Sequence, residues 1–309
     1  MIRSFAAFAA LLGAVEGLAQ EAPPGGGAPP PSAAAPLRVG VTLHPYYSWT
    51  RNVVRGTDVE VRPLLPGDVD AGSYQPRPED VKKLADLDAV VVNGLGHDDF
   101  LAPMIEASGN RSLVTIRPSD ETPRLRGAHG EEANSHTFIS FTNAVQQTYA
   151  IERALSRLRP QHAATFRRNA ADYARRLRRI KAEAARRLAD APIQRVVTVH
   201  DGYAYLLQEF GIEVAGVVEP AHGLVPSAAE LADVIARIRR EEVTVIFSEE
   251  GFPAPLLSVL REETGADVFV LSHVATGDYV DDKFEVEMKR NADVMIAALS
   301  GKKAGAGGS

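Results

Sequence analysis

Imidazole and carboxylate side chains recur in this sequence directly after short runs of aliphatic and β-branched residues. His200 follows Arg195-Val-Val-Thr-Val199, and His273 follows Asp267-Val-Phe-Val-Leu-Ser272. Neutral imidazole with carboxylate oxygen suits Zn²⁺, whereas Mn²⁺ is favoured when oxygens outnumber nitrogens. The pattern therefore predicts a zinc site built from several strand tips. Three further residues stand in the same relation to a predicted strand: His44, His97 and Glu249.

The residues between these tips alternate between strand and helix patterns. Such alternation predicts parallel strands with crossover helices, and ligands of these open sheets bind outside the carboxyl ends of the strands. We predict an α/β fold of two lobes, each a small, mostly parallel sheet flanked by helices, joined by one long backbone helix. The first lobe has predicted strands at 37–43, 59–65, 88–92 and 112–116, and helices at 47–54, 78–85 and 98–107. The second has strands at 195–199, 213–218, 243–248 and 267–271, and helices at 203–210, 227–240, 254–264 and 281–299.

A helical region separates the lobes. Residues 142–158 are amphipathic, Pro160 restarts the helix, and apolar residues then recur at three- and four-residue steps. About 30 residues of helix would be roughly 45 Å long, enough to run along both lobes. We interpret the arginines on its other face as solvated and partly neutralised by acids. The predicted boundaries are 37–141 for the N-terminal lobe, 142–190 for the helical segment and 191–300 for the C-terminal lobe.

The chain ends and the composition restrict the location. Residues 1–19 have a charged start, an apolar stretch and small residues, which predicts a signal peptide and a periplasmic protein. Residues 20–36 are a Pro/Gly/Ala linker, and 301–309 a flexible tail. The absence of cysteine excludes disulfides, thiolate ligands and a lipid-modified cysteine anchor. A net charge of -6 gives no reason to expect a nucleic-acid partner.

Several motifs resemble the zinc and manganese solute-binding proteins of ABC importers over nearly all of residues 37–299. They are Leu65-Pro-Gly67, Ser73-Tyr-Gln-Pro76, Val92-Asn-Gly-Leu-Gly96, Asn134-Ser-His136, His200-Asp-Gly-Tyr203 and Val245-Ile-Phe-Ser-Glu249. The resemblance implies a receptor that binds metal between its lobes and delivers it to a membrane permease. It also implies that His136 and His200 are ligands, with a last ligand near Ser272 and His273.

One departure from the family pattern concerns the first ligand. Such proteins usually carry histidine where this sequence has Gly72. His97 and His44, both at first-lobe strand tips, are the available substitutes, and Glu249 is a further candidate. We prefer His97, because the adjacent Asp98 and Asp99 would supply a hydrogen bond that orients its ring.

Other functions are compatible with some of these residues. The protein could be a receptor of the same type that prefers manganese. It could instead be a zinc hydrolase, in which one coordination position of the metal stays open for water and Glu249 or Glu250 acts as the base. The sequence contains no HExxH or GxSxG motif. We therefore predict a binding protein, not an enzyme, that is monomeric. Residues 117–134 are predicted to form a polar surface loop containing His129, whose role is left open.

Overall fold

The computed structural model describes residues 35–221 and 223–301 of the chain. The predicted signal peptide, all but the end of the linker, and the tail after residue 301 lie outside the described residues. The strands are β1 (Arg38–Val41), β2 (Glu60–Pro63), β3 (Ala89–Val91), β4 (Val114–Ile116), β5 (Arg195–Thr198), β6 (Glu213–Val217), β7 (Val245–Glu249) and β8 (Asp267–Leu271). The α-helices are α1 (His44–Val54), α2 (Pro78–Lys82), α3 (Leu101–Ser108), α4 (Phe141–Leu158), α5 (Ala163–Leu188), α6 (Ala204–Gln208), α7 (Ala228–Arg240), α8 (Ala254–Thr264) and α9 (Lys283–Leu299).

The strands form two parallel sheets, ordered β2-β1-β3-β4 in the first lobe and β6-β5-β7-β8 in the second. The apolar runs form strands because both faces of such sheets are covered. In β3, Ala89 and Val91 pack into a core shared with α1, α4 and α5, while Val90 packs on the opposite face. The predicted fold class of two small parallel sheets flanked by helices is confirmed.

Helices α4 and α5 form a hairpin that connects the lobes. The chain turns at Arg159 and Pro160, and the hairpin is antiparallel because Lys181 Nζ donates to Thr142 Oγ1 at 2.6 Å. The 26 residues of α5 span about 39 Å. Asn169 donates to the carbonyl of Val53 at the end of α1, so α5 contacts the first lobe.

The same helix also contacts the second lobe through its arginines. Arg176 forms an ion pair with Glu285 of α9 at 3.2 Å, and Arg187 pairs with Asp293 at 3.4 Å. Arg175 pairs with Asp172 within α5. The arginine-rich face is therefore partly neutralised by acids, in agreement with its interpretation from the sequence.

Residues 272–282, between β8 and α9, belong to the second lobe by sequence but are fastened to the first; we call them the strap. The amide of Gly277 donates to the carbonyl of Gly67 at 2.6 Å. Arg51 and Asn52 of α1 donate to the carboxylate and the carbonyl of Asp281 at 2.9 and 2.7 Å. The lobes therefore contact each other directly as well as through α5.

Two first-lobe helices begin elsewhere than predicted. Helix α1 begins at His44, three residues before the predicted start, because Pro45 fits the first helical turn. Helix α3 begins at Leu101 instead of residue 98. Asp98 lies before it because its carboxylate accepts the amides of Asn93 and Gly94 at 2.7 and 2.6 Å, which closes a turn after β3.

Candidate metal centre

Three histidines from different parts of the chain meet between the sheets. His200 follows β5, His273 lies in the strap after β8, and His136 lies between β4 and α4. One ligand atom from each lies within 4.8 Å of the others, and these three residues are hereafter the histidine cluster. Their side chains are buried or nearly so, with His273 exposed by 12%. The structure thus brings together the three preferred ligand candidates.

The first two imidazoles face each other through Nε2 while side-chain oxygens hold their Nδ1 atoms. Nδ1 of His136 lies 3.0 Å from Oδ1 of Asn134, and Nδ1 of His200 lies 3.1 Å from Oε2 of Glu219. Because these oxygens accept hydrogen bonds, each neutral ring carries its proton on Nδ1 and a lone pair on Nε2. The two Nε2 atoms are 3.0 Å apart, so a cation bound between them would relieve the repulsion of their lone pairs.

The third imidazole is held by a first-lobe carboxylate. Nδ1 of His273 lies 3.0 Å from Oδ2 of Asp70. Burial lowers the pKa of His273, but its hydrogen bond to Asp70 and the nearby charges of Asp70, Glu249 and Glu219 outweigh this effect, so the pKa is raised. The imidazole thus lies in an acidic environment that also favours a bound metal cation.

Gly202 leaves open the space into which the imidazoles point. A Cβ on this residue would lie 2.9 Å from Nε2 of His273, and 3.0 Å from Nε2 of His200. Two Nε2 atoms therefore converge on a space that any larger residue at position 202 would fill. Three converging imidazole nitrogens around such a space fit a tetrahedral Zn²⁺ ion with one further position.

His97, the preferred substitute for the ligand absent at Gly72, lies beside the cluster. Its ring centroid is 5.2 Å from that of His136, and its Nε2 is 3.8 Å from Oδ1 of Asp70. It is not part of the histidine cluster. The Asp98 carboxylate, one of two acids expected to orient this ring, accepts from the Asn93 and Gly94 amides and from Thr42.

The other two candidates lie outside the cluster as well. His44 donates from Nε2 to the carbonyl of Gly277 at 2.8 Å, and its ring stacks on Tyr279 at a centroid distance of 3.9 Å. Burial lowers the pKa of His44. Glu249 ends β7, where burial raises its pKa although His273 and His200 favour its ionised form. His44 thus holds the strap, and Glu249 contributes charge near the site.

A cavity of about 510 Å³ opens over the cluster. His129 and Glu131, from the loop predicted at 117–134, line it together with His136 and His200. This loop is attached to the second lobe, because the amide of Ala128 donates to Oδ2 of Asp201 at 2.8 Å. Four of its lining residues are acidic (Glu131, Glu132, Asp201 and Glu219) and one is an arginine (Arg124), so the charge of the lining favours a cation.

Sequence reasoning did not identify several residues that shape this site. Glu219 follows β6 by two residues, so the strand-tip pattern would have indicated it. Asn134 precedes His136 by two residues, a spacing that lets its side chain accept from the His136 amide at 2.8 Å. Asp70 and Gly202 carry no such local signal, because their roles depend on residues brought close only by folding.

Comparison with known proteins places this architecture in a defined group. The family model described as "Zinc-uptake complex component A periplasmic" matches residues 39–298. A putative metal-binding protein of Treponema pallidum is 25% identical over 278 residues, which cover 85% of this chain and 87% of that protein. The zinc-binding lipoprotein AdcA of Streptococcus pneumoniae is 25% identical over 249 residues, covering 76% of this chain but only 50% of its own length.

A solved structure agrees with this placement. The SBP (solute-binding protein) FpvC of Pseudomonas aeruginosa, in complex with Mn²⁺, is 43% identical with a TM-score of 0.81, covering 85% of this chain and 98% of its own. In the part of our chain that the structure describes, no helix combines the length and apolar character needed to cross a membrane. The match over residues 39–298 shows that the chain belongs to the ZnuA family of periplasmic components of zinc-uptake complexes.

Proposed function

We propose that this protein captures one Zn²⁺ ion in the histidine cluster and delivers it to the permease of an ABC importer. The observation that carries the proposal is the convergence of three imidazoles whose Nδ1 atoms are all held by side-chain oxygens. This arrangement leaves three Nε2 atoms whose lone pairs point towards one space. It belongs to a metal site, because buried imidazoles packed for stability alone have no need to direct their lone pairs at one another.

The donor set favours zinc. Three neutral imidazoles, with ligand atoms within 4.8 Å of one another, would provide the nitrogen ligands that Zn²⁺ prefers, and water or a nearby side chain would complete the coordination. The carboxylates of Asp70 and Glu219 lie behind two of these rings and compensate the charge of a divalent ion.

Manganese is the second candidate cargo. The motivating observation is that FpvC, at 43% identity, was determined with Mn²⁺. Since Mn²⁺ prefers oxygen ligands, the nitrogen-rich cluster favours Zn²⁺ over it. Competition between the two ions for the purified protein measures this preference.

The site binds cargo and performs no chemistry. Glu250, a candidate base in the hydrolase alternative, forms an ion pair with Arg290 at 3.1 Å and its side chain is 63% exposed. It therefore belongs to the surface. We further propose that residues 1–19 direct export to the periplasm, and that the mature protein acts as a monomer with lobes at 37–141 and 191–300 joined by the helical segment 142–190.

Metal-dependent stability tests the proposal. A ligand that binds only the native state stabilises it by about 2.7 kcal/mol at 100 times its dissociation constant. Adding Zn²⁺ to the chelator-treated protein should therefore raise the melting temperature, and elemental analysis should find one zinc per chain. His162→Ala serves as a control, because His162 lies away from the cluster beside Asp58. Melting curves indifferent to Zn²⁺, Mn²⁺ and chelator would overturn the proposal.

A further inference from the structure

Asp70 lies in the first-lobe loop between β2 and α2 and contacts a histidine of the strap. Its Oδ2 is 3.0 Å from Nδ1 of His273, whereas its Oδ1 accepts the amide of Gly72 at 2.7 Å. Oδ1 also faces Nε2 of His97 at 3.8 Å. One carboxylate thus contacts its own loop with one oxygen and the second-lobe imidazole with the other.

The Asp70 carboxylate is held in place by its own loop, independently of its contact with His273. Its hydrogen bond to the Gly72 amide begins a short 3₁₀ turn at Ala71, and Ala71 is itself buried, with 2% exposure. Nearby, the amide of Gly277 in the strap donates to the carbonyl of Gly67 in the same loop. The loop and the strap are therefore joined by a second contact besides that between Asp70 and His273.

We propose that Asp70 is a positioning residue for the metal site. By accepting the Nδ1 proton of His273, it fixes the tautomer and the ring orientation that present Nε2 to the metal. Asp70 accepts the Nδ1 proton of His273 in the same way that Glu219 accepts the Nδ1 proton of His200. The inference rests on the proposed function, and it deepens that function by assigning a residue that acts through a ligand.

The position of Asp70 also links the site to the lobes. Asp70 belongs to the first lobe, whereas His273 follows the last strand of the second. Separation of the loop from the strap would remove the acceptor of Nδ1 and free the ring to rotate. Metal affinity is therefore coupled to the contact between the loop and the strap, to which this hydrogen bond and the one from Gly277 to Gly67 both contribute.

A double-mutant cycle tests the assignment. Loss of a hydrogen-bonding partner behind a metal ligand typically weakens metal binding by roughly 10–100-fold. We expect a loss of that size for Asp70→Ala, measured by competition with a zinc chelator, and a larger loss for His273→Ala. Because Asp70 acts through His273, the double variant should bind no more weakly than His273→Ala. A further loss in the double variant would show that Asp70 contacts the metal independently, and would overturn the proposal.

Two controls separate positioning from general damage. Asp68→Ala removes an exposed carboxylate from the same loop and should leave zinc affinity unchanged. The visible spectrum of bound Co²⁺ reports the ligand geometry, and it should change in Asp70→Ala but not in Asp68→Ala. If the unmodified protein binds no zinc, the proposed function fails. If the unmodified protein and Asp70→Ala bind equally well, only the role of Asp70 fails.

Discussion

Nε2 of His136 lies 3.0 Å from Nε2 of His200, with both Nδ1 atoms committed to oxygen acceptors. Two imidazole nitrogens bound to one Zn²⁺ at about 2.05 Å and a tetrahedral angle would be about 3.3 Å apart. Binding therefore requires the rings to separate by only a few tenths of an ångström. The pair is already close to the geometry of the loaded site, which reduces the reorganisation that capture of the ion requires.

Replacement of a cluster histidine should abolish tight binding, whereas replacement of His44 should not. We expect His200→Ala to weaken zinc affinity by more than about 100-fold, beyond the cost of losing an outer partner. His44→Ala should change affinity by less than about tenfold but lower stability by about 1 kcal/mol, because it removes the hydrogen bond to the carbonyl of Gly277. Zinc titration and chemical denaturation measure the two effects. Equal losses of zinc affinity in His200→Ala and His44→Ala would show that His44 is also a metal ligand.

The space beside Gly202 offers a variant that keeps every histidine. In Gly202→Ala, the new Cβ would lie 2.9 Å from Nε2 of His273 and 2.6 Å from Cδ2 of His200, closer than such atoms pack. The rings must move apart, so zinc affinity should fall by at least about 100-fold, as after removal of a ligand. Competition with a chelator gives the affinity, and circular dichroism shows whether the fold persists.

A glycine in the same lobe provides the control for that variant. In Gly216→Ala, the nearest atom to the new Cβ is Cδ of the flexible Arg237 side chain, at 3.3 Å. Zinc affinity should stay unchanged in this variant. If Gly202→Ala binds zinc like Gly216→Ala, the metal does not occupy the space between His200 and His273.

Displacement of the strap should weaken binding from outside the cluster. In Gly67→Ala, the Cβ would lie 2.4 Å from the carbonyl oxygen of Gly277, which must shift because backbone cannot rotate away. We expect a loss of about 1–3 kcal/mol of stability, typical of overpacking, and a weaker zinc affinity because the strap carries His273. Asp68→Ala is the neighbouring control. If Gly67→Ala lowers stability but leaves zinc affinity unchanged, the position of the strap does not affect metal binding.

Asp80 gives a pH-dependent prediction away from the metal. Burial raises its pKa, but hydrogen bonds from Lys83, Tyr74 and the Arg77 amide outweigh it and hold the pKa at about 2. Because the folded pKa is lowered, the contribution to stability is present above pH about 4 and is lost as pH falls towards about 2.

The charge-removing variant measures this contribution. Asp80→Asn should cost about 1–2 kcal/mol in urea denaturation at pH about 7, a figure discounted because Lys83 is partly exposed. The difference from the unmodified protein should shrink towards zero at pH about 2. A cost that is constant with pH would mean that packing or helix capping, and not charge, is responsible.

Much of the fold follows from local sequence, because both sheets have covered faces and their strands appear as short apolar runs. The predicted strand at 267–271 and helix at 254–264 have the observed bounds. The first-lobe strands were predicted two or three residues too long, in part because apolar residues such as Leu43 and Leu65 continue to pack after the ladder has ended.

The residues of the candidate metal site are harder to predict from local sequence patterns. Position after a strand points to His200 and His273, but it points equally to His44, whose ring holds the strap. No pattern within a few residues distinguishes them. His136 follows no strand directly, and it is indicated by resemblance alone. The contact of Asp70 with His273 joins two loops distant in sequence, so only the folded chain reveals it.

The two sheets have the same connectivity, since β6-β5-β7-β8 repeats β2-β1-β3-β4 with each strand number raised by four. Under this correspondence, His44 after β1 and His200 after β5 occupy matching places in the repeat. His200 lies in the histidine cluster, whereas His44 forms a hydrogen bond with the strap. Equivalent positions of the repeat thus have different roles: the second-lobe histidine is a proposed metal ligand, and the first-lobe histidine joins the two lobes.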